Sequence, residues 1–368
     1  MARRLITRRT MASLNCYLQT STSGNAQRVV SISYPTLISS PLSLEASIEQ
    51  AFGSHPQALG IILVKDLPSQ YVAYRESLLK FAYKFAKLDA KTKERYTDPG
   101  SSYSFGWSHG KEIMNGKPDT LKGSYYANPV VDAPAVSSAL KEGFPEYYRD
   151  NIWPDKNERG IEGFEDAFKN LGQFVFNVGC ELAAACQPFV SKNLAEATSF
   201  SLPELIKTSQ TTKARLLHYF PPAPGSAPPS EDEPVDSWCG FHLDNSLLTG
   251  LCSAMFLKEG GEFPTVVSAP SPSSGLYIRT RGDELTKVSI PADCLAFQTG
   301  EALELVTAGK LRATPHCVRV GGGDETISRE TFALFMQPNT NQRVSPSEDF
   351  GQFSKRILAE HYEKTPSM

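Results

Sequence analysis

Within Gly240 to Asp244 a histidine and a carboxylate stand two residues apart, at His242 and Asp244. On a strand, residues i and i+2 project from one face, so the spacing predicts that this imidazole and this carboxylate converge. One His-x-Asp arises from composition in roughly one chain in four of this kind, so the triplet needs support. That support is His316, separated from Asp244 by 71 residues and carried in Ala313-Thr314-Pro315-His316-Cys317-Val318, which reads as a strand. Two histidines and one carboxylate form the facial set suited to iron(II), with three adjacent coordination positions left open. A zinc hydrolase could use the same three ligands. Thirteen residues beyond His316, Arg329-Glu330-Thr331 opens the last predicted strand. Arg329 and Thr331 share a face there. A guanidinium pairs bidentately with a carboxylate and the hydroxyl beside it adds a hydrogen bond, which suits the distal end of a dicarboxylate. A zinc hydrolase would give neither residue a task.

Taken together, His242-x-Asp244, Ala313-Thr314-Pro315-His316 and Arg329-x-Thr331 resemble the iron(II) and 2-oxoglutarate dependent oxygenases of the isopenicillin N synthase-like group. The similarity runs from about Ser33 to the last helix. It includes Gly60 to Val64, Ala214 to Pro221 and Gly275 to Arg279. The resemblance implies a distorted double-stranded β-helix (jelly-roll) that uses Fe(II), 2-oxoglutarate and O2 to oxidise, usually to hydroxylate, a small molecule, with release of succinate and carbon dioxide. It implies iron ligands at His242, Asp244 and His316, and co-substrate contacts at Arg329 and Thr331. The chain departs from the group in two places. Thr331 stands where Arg-x-Ser is common, which keeps the hydroxyl. His218-Tyr219-Phe220-Pro221 stands where Asn-x-Tyr-Pro is common, so the usual phenol is missing at Phe220 and Tyr219 is the candidate to replace it. Two other readings remain open at this point. One is an iron oxidase that turns Arg329 toward a substrate carboxylate and uses no 2-oxoglutarate, and a measurement of 2-oxoglutarate consumption would decide between them. The other is a non-catalytic binding protein on the same fold, for which three retained metal-binding side chains would have no purpose.

The elements that must position these residues are mostly helical at first. Leu44 to Phe52 reads as a helix, Leu59 to Val64 as a buried strand, and Tyr71, Tyr74, Leu78, Leu79, Phe81, Ala82 and Phe85 as one stripe of a second helix. Pro99 to Pro134 is rich in Gly, Ser, Tyr and Asn and reads as loops, while Phe164 to Val190 is a long amphipathic helix. From Thr211 onward, short apolar segments alternate with turn residues: Ala214 to Phe220, Gly240 to Leu243, Leu248 to Phe256, Leu276 to Arg279, Lys287 to Ile290, Cys294 to Phe297, Arg312 to Val320 and Thr331 to Gln337. This pattern predicts an antiparallel sandwich or barrel. Pro221 to Pro234 is an acidic, Pro-rich loop, and Asp349 to Tyr362 is a helix with Phe350, Phe353, Ile357, Leu358 and Tyr362 inward. The expected class is α+β, a jelly-roll core flanked by helices from the N-terminal half and by a C-terminal helix. The expected division is a basic tail or transit peptide over 1–32, a helix-rich region over 33–205, the oxygenase core over 206–340 and the C-terminal helix over 341–368.

Composition narrows the partners. With 40% hydrophobic and 21% charged residues the body should fold, and a net charge of -3 supplies no positive field for nucleic acid or anionic membrane, so a small-molecule substrate is expected. Seven scattered cysteines, without C-x-x-C or an N-glycosylation site, suit a reducing intracellular compartment. No apolar run approaches the ~18 residues of a membrane-spanning helix. Arg3, Arg4, Arg8, Arg9 and Arg28, with no acidic residue before Glu45, have the composition of an organelle transit peptide, mitochondrial import being one destination and the cytoplasm the alternative. Several residues carry two readings. Phe105 to Glu112 is either a substrate loop or packing, as are Tyr125 and Tyr126, and His218 is either close to the metal or a packed strand residue. Cys317 falls on the strand face opposite His316 and reads as core, His55 and His361 as surface, and Gly321-Gly322-Gly323 and Gly309-Lys310 as turns. Loops 101–130 and 221–237 are the expected substrate walls.

Overall fold

The chain is described from a computed structural model that covers residues 29–362 except 112, 115–116, 194–199, 222–239, 261–263 and 320–325. Side chains of 113–114, 117–118 and 358–362 are also outside that description. In the N-terminal half the strands are β1 (Val30–Ser33), β2 (Ile61–Lys65), β3 (Gly106–His109), β4 (Ile113–Met114), β5 (Lys117–Pro118) and β6 (Lys122–Ala127). The later strands are β7 (Lys213–Tyr219), β8 (Leu248–Cys252), β9 (Met255–Lys258), β10 (Thr265–Val267), β11 (Gly275–Arg279), β12 (Leu285–Val288), β13 (Leu295–Thr299), β14 (His316–Arg319), β15 (Ile327–Met336), β16 (Arg343–Ser345) and β17 (Glu348–Asp349). The helices are α1 (Tyr34–Ser39), α2 (Glu45–Phe52), α3 (Gln70–Ala86), α4 (Ala90–Glu94), α5 (Ser138–Gly143), α6 (Pro145–Tyr148), α7 (Phe164–Asn193), α8 (Leu202–Lys207), α9 (Glu301–Val306) and α10 (Phe350–Tyr362).

The main sheet runs β1-β2-β13-β8-β15-β7-β6-β3, with β9 and β10 attached beside β15, and a smaller sheet runs β12-β11-β14. Only the β1–β2 pair of the main sheet is parallel among the described residues. Leu59, Ile61, Leu63 and Ala296 meet Leu276, Ile278 and Val288 between the sheets, which closes the jelly roll. The other face of the main sheet is covered by α3 and α7, where Phe85, Phe164, Phe168 and Phe332 pack ring against ring. Each such fully buried side chain contributes ~1.5–3 kcal/mol.

Close approach of α7 depends on two glycines. A Cβ on Gly250 of β8 would stand 2.4 Å from Val175 Cγ1, and one on Gly179 would stand 2.1 Å from Met336 Cε. By length and composition α7 is also apolar enough to cross a membrane, but 61% of its most apolar window is buried inside the fold, where it serves as the core helix.

Several expectations change. Pro99 to Pro134 holds not only loops: β3 and β6 lie within it and extend the main sheet beyond β7. Their Gly and Ser content hides the alternation, in which Trp107 and Tyr125 pack on Phe85 while Lys122 and Ser124 line the other face of β6. Leu248 to Phe256 is two strands, broken at Ser253-Ala254. There Arg75 of α3 donates from Nε to the Ser253 carbonyl at 2.8 Å and from Nη2 to the Ala254 carbonyl at 2.9 Å. The break is tolerated because the carbonyls lost from the ladder gain a charged donor. Strand β1 begins at Val30, inside the segment read as a tail; residues 1–28 lie outside the described residues, as does most of the Pro221 to Pro234 loop. On α10, Phe350 and Phe353 are buried and Ile357 packs on the core, while the side chains of Leu358 and Tyr362 fall outside the description.

Candidate metal centre and the cavity beside it

Gly240 to Leu243 is not a regular strand. A single antiparallel bridge joins His242 to His316, each N–H donating to the other's carbonyl at 3.1 and 3.0 Å. This exchange, and not a shared strand face, sets the two imidazoles side by side with ring centroids 4.4 Å apart. Asp244 is brought in by the turn after β13: Glu301 N donates to its carbonyl at 2.7 Å, and Gly300 N to the Leu247 carbonyl at 3.2 Å. A Cβ on Gly300 would lie 2.1 Å from the Ser246 carbonyl oxygen, so two backbones pass too closely there for any side chain. On the other side, Gly60 has φ +66 and a Cβ on it would lie 2.2 Å from Thr314 Oγ1, two residues before His316.

The donor atoms of His242, Asp244 and His316 all lie within 4.8 Å of one another. Asp244 Oδ1 is 3.8 Å from His242 Nε2 and 3.7 Å from His316 Nε2. His242 Nδ1 donates to the Gly240 carbonyl at 2.9 Å and His316 Nδ1 to the Thr314 carbonyl at 3.3 Å. A carbonyl can only accept, so both rings carry a proton on Nδ1 and turn Nε2 toward Asp244, the nitrogen that is then left for a metal. Burial pushes the His316 imidazolium down to about 4, with Asp244 opposing and His242 reinforcing, so the ring is neutral at neutral pH.

A cavity of about 120 Å³ opens beside the triad. Arg329, Thr331, Ala333 and Phe335 project into it from β15, and Tyr219, Leu217 and Arg215 from β7. Register places Arg329 opposite Tyr219, and its guanidinium lies 5.0 Å from the Tyr219 ring centroid. Tyr219 therefore faces the cavity, while Phe220 turns the other way to pack on His218 and His109, with centroids at 4.5 and 4.7 Å. His218 also belongs to that outer face, where its Nδ1 bonds Glu330 at 2.9 Å and Ser328 Oγ donates to the same carboxylate at 2.7 Å. It is a packed strand residue, separated from the triad by the sheet.

The other candidates disperse. Trp107 and Tyr125 are core, Tyr126 stacks under Arg215, and His109 lines a recess of about 10 Å³ with Ser108, Asp119 and Lys122, one strand out from the cavity. Cys317 is fully buried between two cavity-lining neighbours, His316 and Val318, on the reverse face of β14. His55 is exposed, Gly309 turns with φ +78, and Gly321 to Gly323, Glu112 and the side chain of His361 lie outside the described residues. Arg215 was not singled out from the sequence as a wall residue, while Lys122 falls within the expected wall 101–130 without having been named. Counting back by twos from Tyr219 through Leu217 would have reached Arg215, whereas the pairing of β6 with β7 picks Lys122 out of the range 101–130.

Neither a protein-family model nor a curated protein matches the chain in sequence. Solved structures do match in shape. A 2OG-Fe(II) oxygenase family protein of Caulobacter crescentus superposes with a TM-score of 0.65 at 18% identity, over 90% of this chain and 99% of its own. Neurospora crassa T7H in complex with alpha-KG gives 0.64 at 16% identity, over 92% and 98%. The rice dioxygenase for auxin oxidation gives 0.55 at 14% identity, over 91% and 96%. The chain thus has the fold of the 2OG-Fe(II) oxygenases along nearly its whole length, with a His-Asp-His triad assembled beside its cavity.

Proposed function

We propose that the protein is an Fe(II)- and 2-oxoglutarate-dependent oxygenase that oxidises a small organic molecule. The observation that carries this reading is the triad: two imidazoles fixed by backbone carbonyls, both presenting Nε2 to one carboxylate at the edge of a cavity. Nitrogen and oxygen donors of this kind suit Fe(II), and among the described residues no thiolate joins them.

His242, Asp244 and His316 would hold the metal, and Arg329, with Thr331 and Tyr219 beside it, would hold the distal carboxylate of 2-oxoglutarate. When bound, iron and 2-oxoglutarate supply the oxidising chemistry, splitting the co-substrate to succinate and carbon dioxide while a C–H bond of the substrate is oxidised. The chain's own part is orientation and exclusion of water. Leu217, Leu251, Leu276 and Val318 make much of the wall apolar, which strengthens the charge pairing of Arg329 inside it. The structures of T7H with thymine and with 5-formyluracil show that this fold accepts small heterocycles in other proteins. The test is succinate release from 2-oxoglutarate by protein loaded anaerobically with Fe(II) and then exposed to air, beside Asp244→Ala. Release by the wild type alone is expected. Release without 2-oxoglutarate consumption is impossible, so iron-loaded wild type that leaves 2-oxoglutarate untouched, with or without a metabolite extract, would overturn the reading.

A further inference from the structure

Strand β13 carries a buried amide. Gln298 is fully buried, and among the described residues it is the one carboxamide whose Nε2 and Oε1 both lack a hydrogen-bond partner. The polar side chains next to it are engaged elsewhere. Thr249, opposite it across the β13–β8 ladder, pairs its hydroxyl with Ser246 Oγ at 2.8 Å, and Thr299 donates to the Arg312 carbonyl at 2.7 Å. Burying a primary amide without partners is costly, and a native chain that keeps one has a use for it.

Alternation shows where the amide points. Phe297 stands against Gly179 of α7 and Gly250 of β8, on the helix-covered face of the main sheet. Ala296 joins Leu276 and Ile278 between the two sheets, so Gln298 turns into that same interior. Its cross-strand neighbours are Ile61, a member of the inter-sheet cluster, and Thr249, which lines the cavity. The triad closes around this position. From the small sheet, β14 brings His316, which pairs in register with Ile278 of the same cluster. Along β13 itself, Gly300 and Glu301 follow within three residues, and their N–H groups hold the carbonyls of Leu247 and Asp244. Gln298 thus sits between the strand that carries one ligand and the turn that fixes another, one strand in from Thr249.

We propose that Gln298 is a positioning residue of the metal centre, whose amide N–H groups donate to a carboxylate oxygen there once the centre is filled. On the oxygenase reading, on which this inference rests, two carboxylates answer that description: the side chain of Asp244 and the carboxylate of 2-oxoglutarate that Arg329 does not hold. Thermal unfolding and calorimetry on the full chain would compare wild type with Gln298→Met, of similar shape, and Gln298→Leu. The probes are Mn(II), a redox-stable ion that accepts nitrogen and oxygen donors, and then 2-oxoglutarate on the Mn(II)-loaded protein. Without metal, the variants should melt no lower than wild type, because an apolar group replaces an amide that nothing in the chain satisfies. With ligand they should bind about 10- to 100-fold more weakly, the scale of losing a supporting partner at a metal site. A loss already present with Mn(II) alone assigns the contact to Asp244, and a loss confined to 2-oxoglutarate assigns it to the co-substrate. A packing role would instead lower the metal-free Tm together with the affinity. The proposal is overturned if both metal-free variants melt well below wild type; because the two differ in shape, a misfit of one leaves the other to decide. It is equally overturned if both affinities stay within about twofold of wild type, less than the loss of one hydrogen bond to a charged group. If wild type itself binds no Mn(II), the oxygenase reading falls and takes this inference with it.

Discussion

Arg329 and Tyr219 face each other across one rung of the β15–β7 ladder, and their contact makes separable predictions. Loss of a charge-assisted bidentate pair costs ~1.5–3 kcal/mol, so Arg329→Gln is expected to raise the Kd for 2-oxoglutarate roughly 10- to 150-fold, measured by anaerobic calorimetry with metal bound. Tyr219→Phe removes one neutral hydrogen-bonding group, and a change of ~1 kcal/mol, or about fivefold, is expected. Phe220→Leu, on the reverse face, should leave the affinity as it was. An effect at Phe220 as large as at Tyr219 would reverse the assignment of which side chain enters the cavity. Cys317→Ala should likewise leave metal stoichiometry unchanged, because the thiol lies buried behind β14 and takes no part in the triad.

At the level of elements, the centre depends on contacts where backbone meets backbone. Gly300 lets the turn after β13 press against Ser246, and that contact carries the hydrogen bond from Glu301 to the Asp244 carbonyl. Gly300→Ala is therefore expected to weaken metal binding roughly 10- to 100-fold, the scale of losing a supporting partner of a ligand, while circular dichroism stays close to wild type. Unchanged metal affinity in that variant would show that Asp244 is held by other means. Gly250 has a purely packing role. Gly250→Ala forces a methyl onto Val175 and should cost ~1–3 kcal/mol of unfolding free energy. Adding Val175→Ala should recover part of that loss, whereas simple additivity of the two changes would contradict the steric account.

Across the whole molecule, helices and small sheet pack on the two faces of one large sheet, and Lys213 marks where β7 meets the N-terminal half. Its ammonium donates to the Glu146 carbonyl and lies over the rings of Phe105 and Tyr147, at 4.7 and 5.3 Å from their centroids. Burial pushes it down to about 7, against ~10.4 in the unfolded chain. Below pH 7 both states are protonated and folding bears the full cost of the buried charge. Between about 7 and 10 the unfolded chain holds a proton that the folded one lacks, so stability from this group rises with pH. Lys213→Met should therefore raise Tm more at pH 6.5 than at pH 9.5. Equal shifts at the two values would mean that the ring faces and the carbonyl already compensate the charge.

Residue type and short-range periodicity were sufficient for His242 with Asp244, for Arg329 beside Thr331, for α3 and α7 and for most strands after Thr211, because each is written in neighbours two to four positions apart, whereas His316 was joined to the pair by residue type alone. What lay beyond them is set by pairing across long separations. The bridge between His242 and His316, the turn that delivers Asp244, and the break at Ser253 to Ala254 exist because distant backbones and Arg75 satisfy the groups left open. Strands β3 and β6 look like loop sequence and become strands only through the edge that β7 offers them. The inward turn of Tyr219, the outward turn of His218 and the position of Arg215 on the cavity wall follow from a strand whose two faces meet different partners. An isolated strand alternates without saying which side is in, and only the sheets and helices that close around β7 decide it.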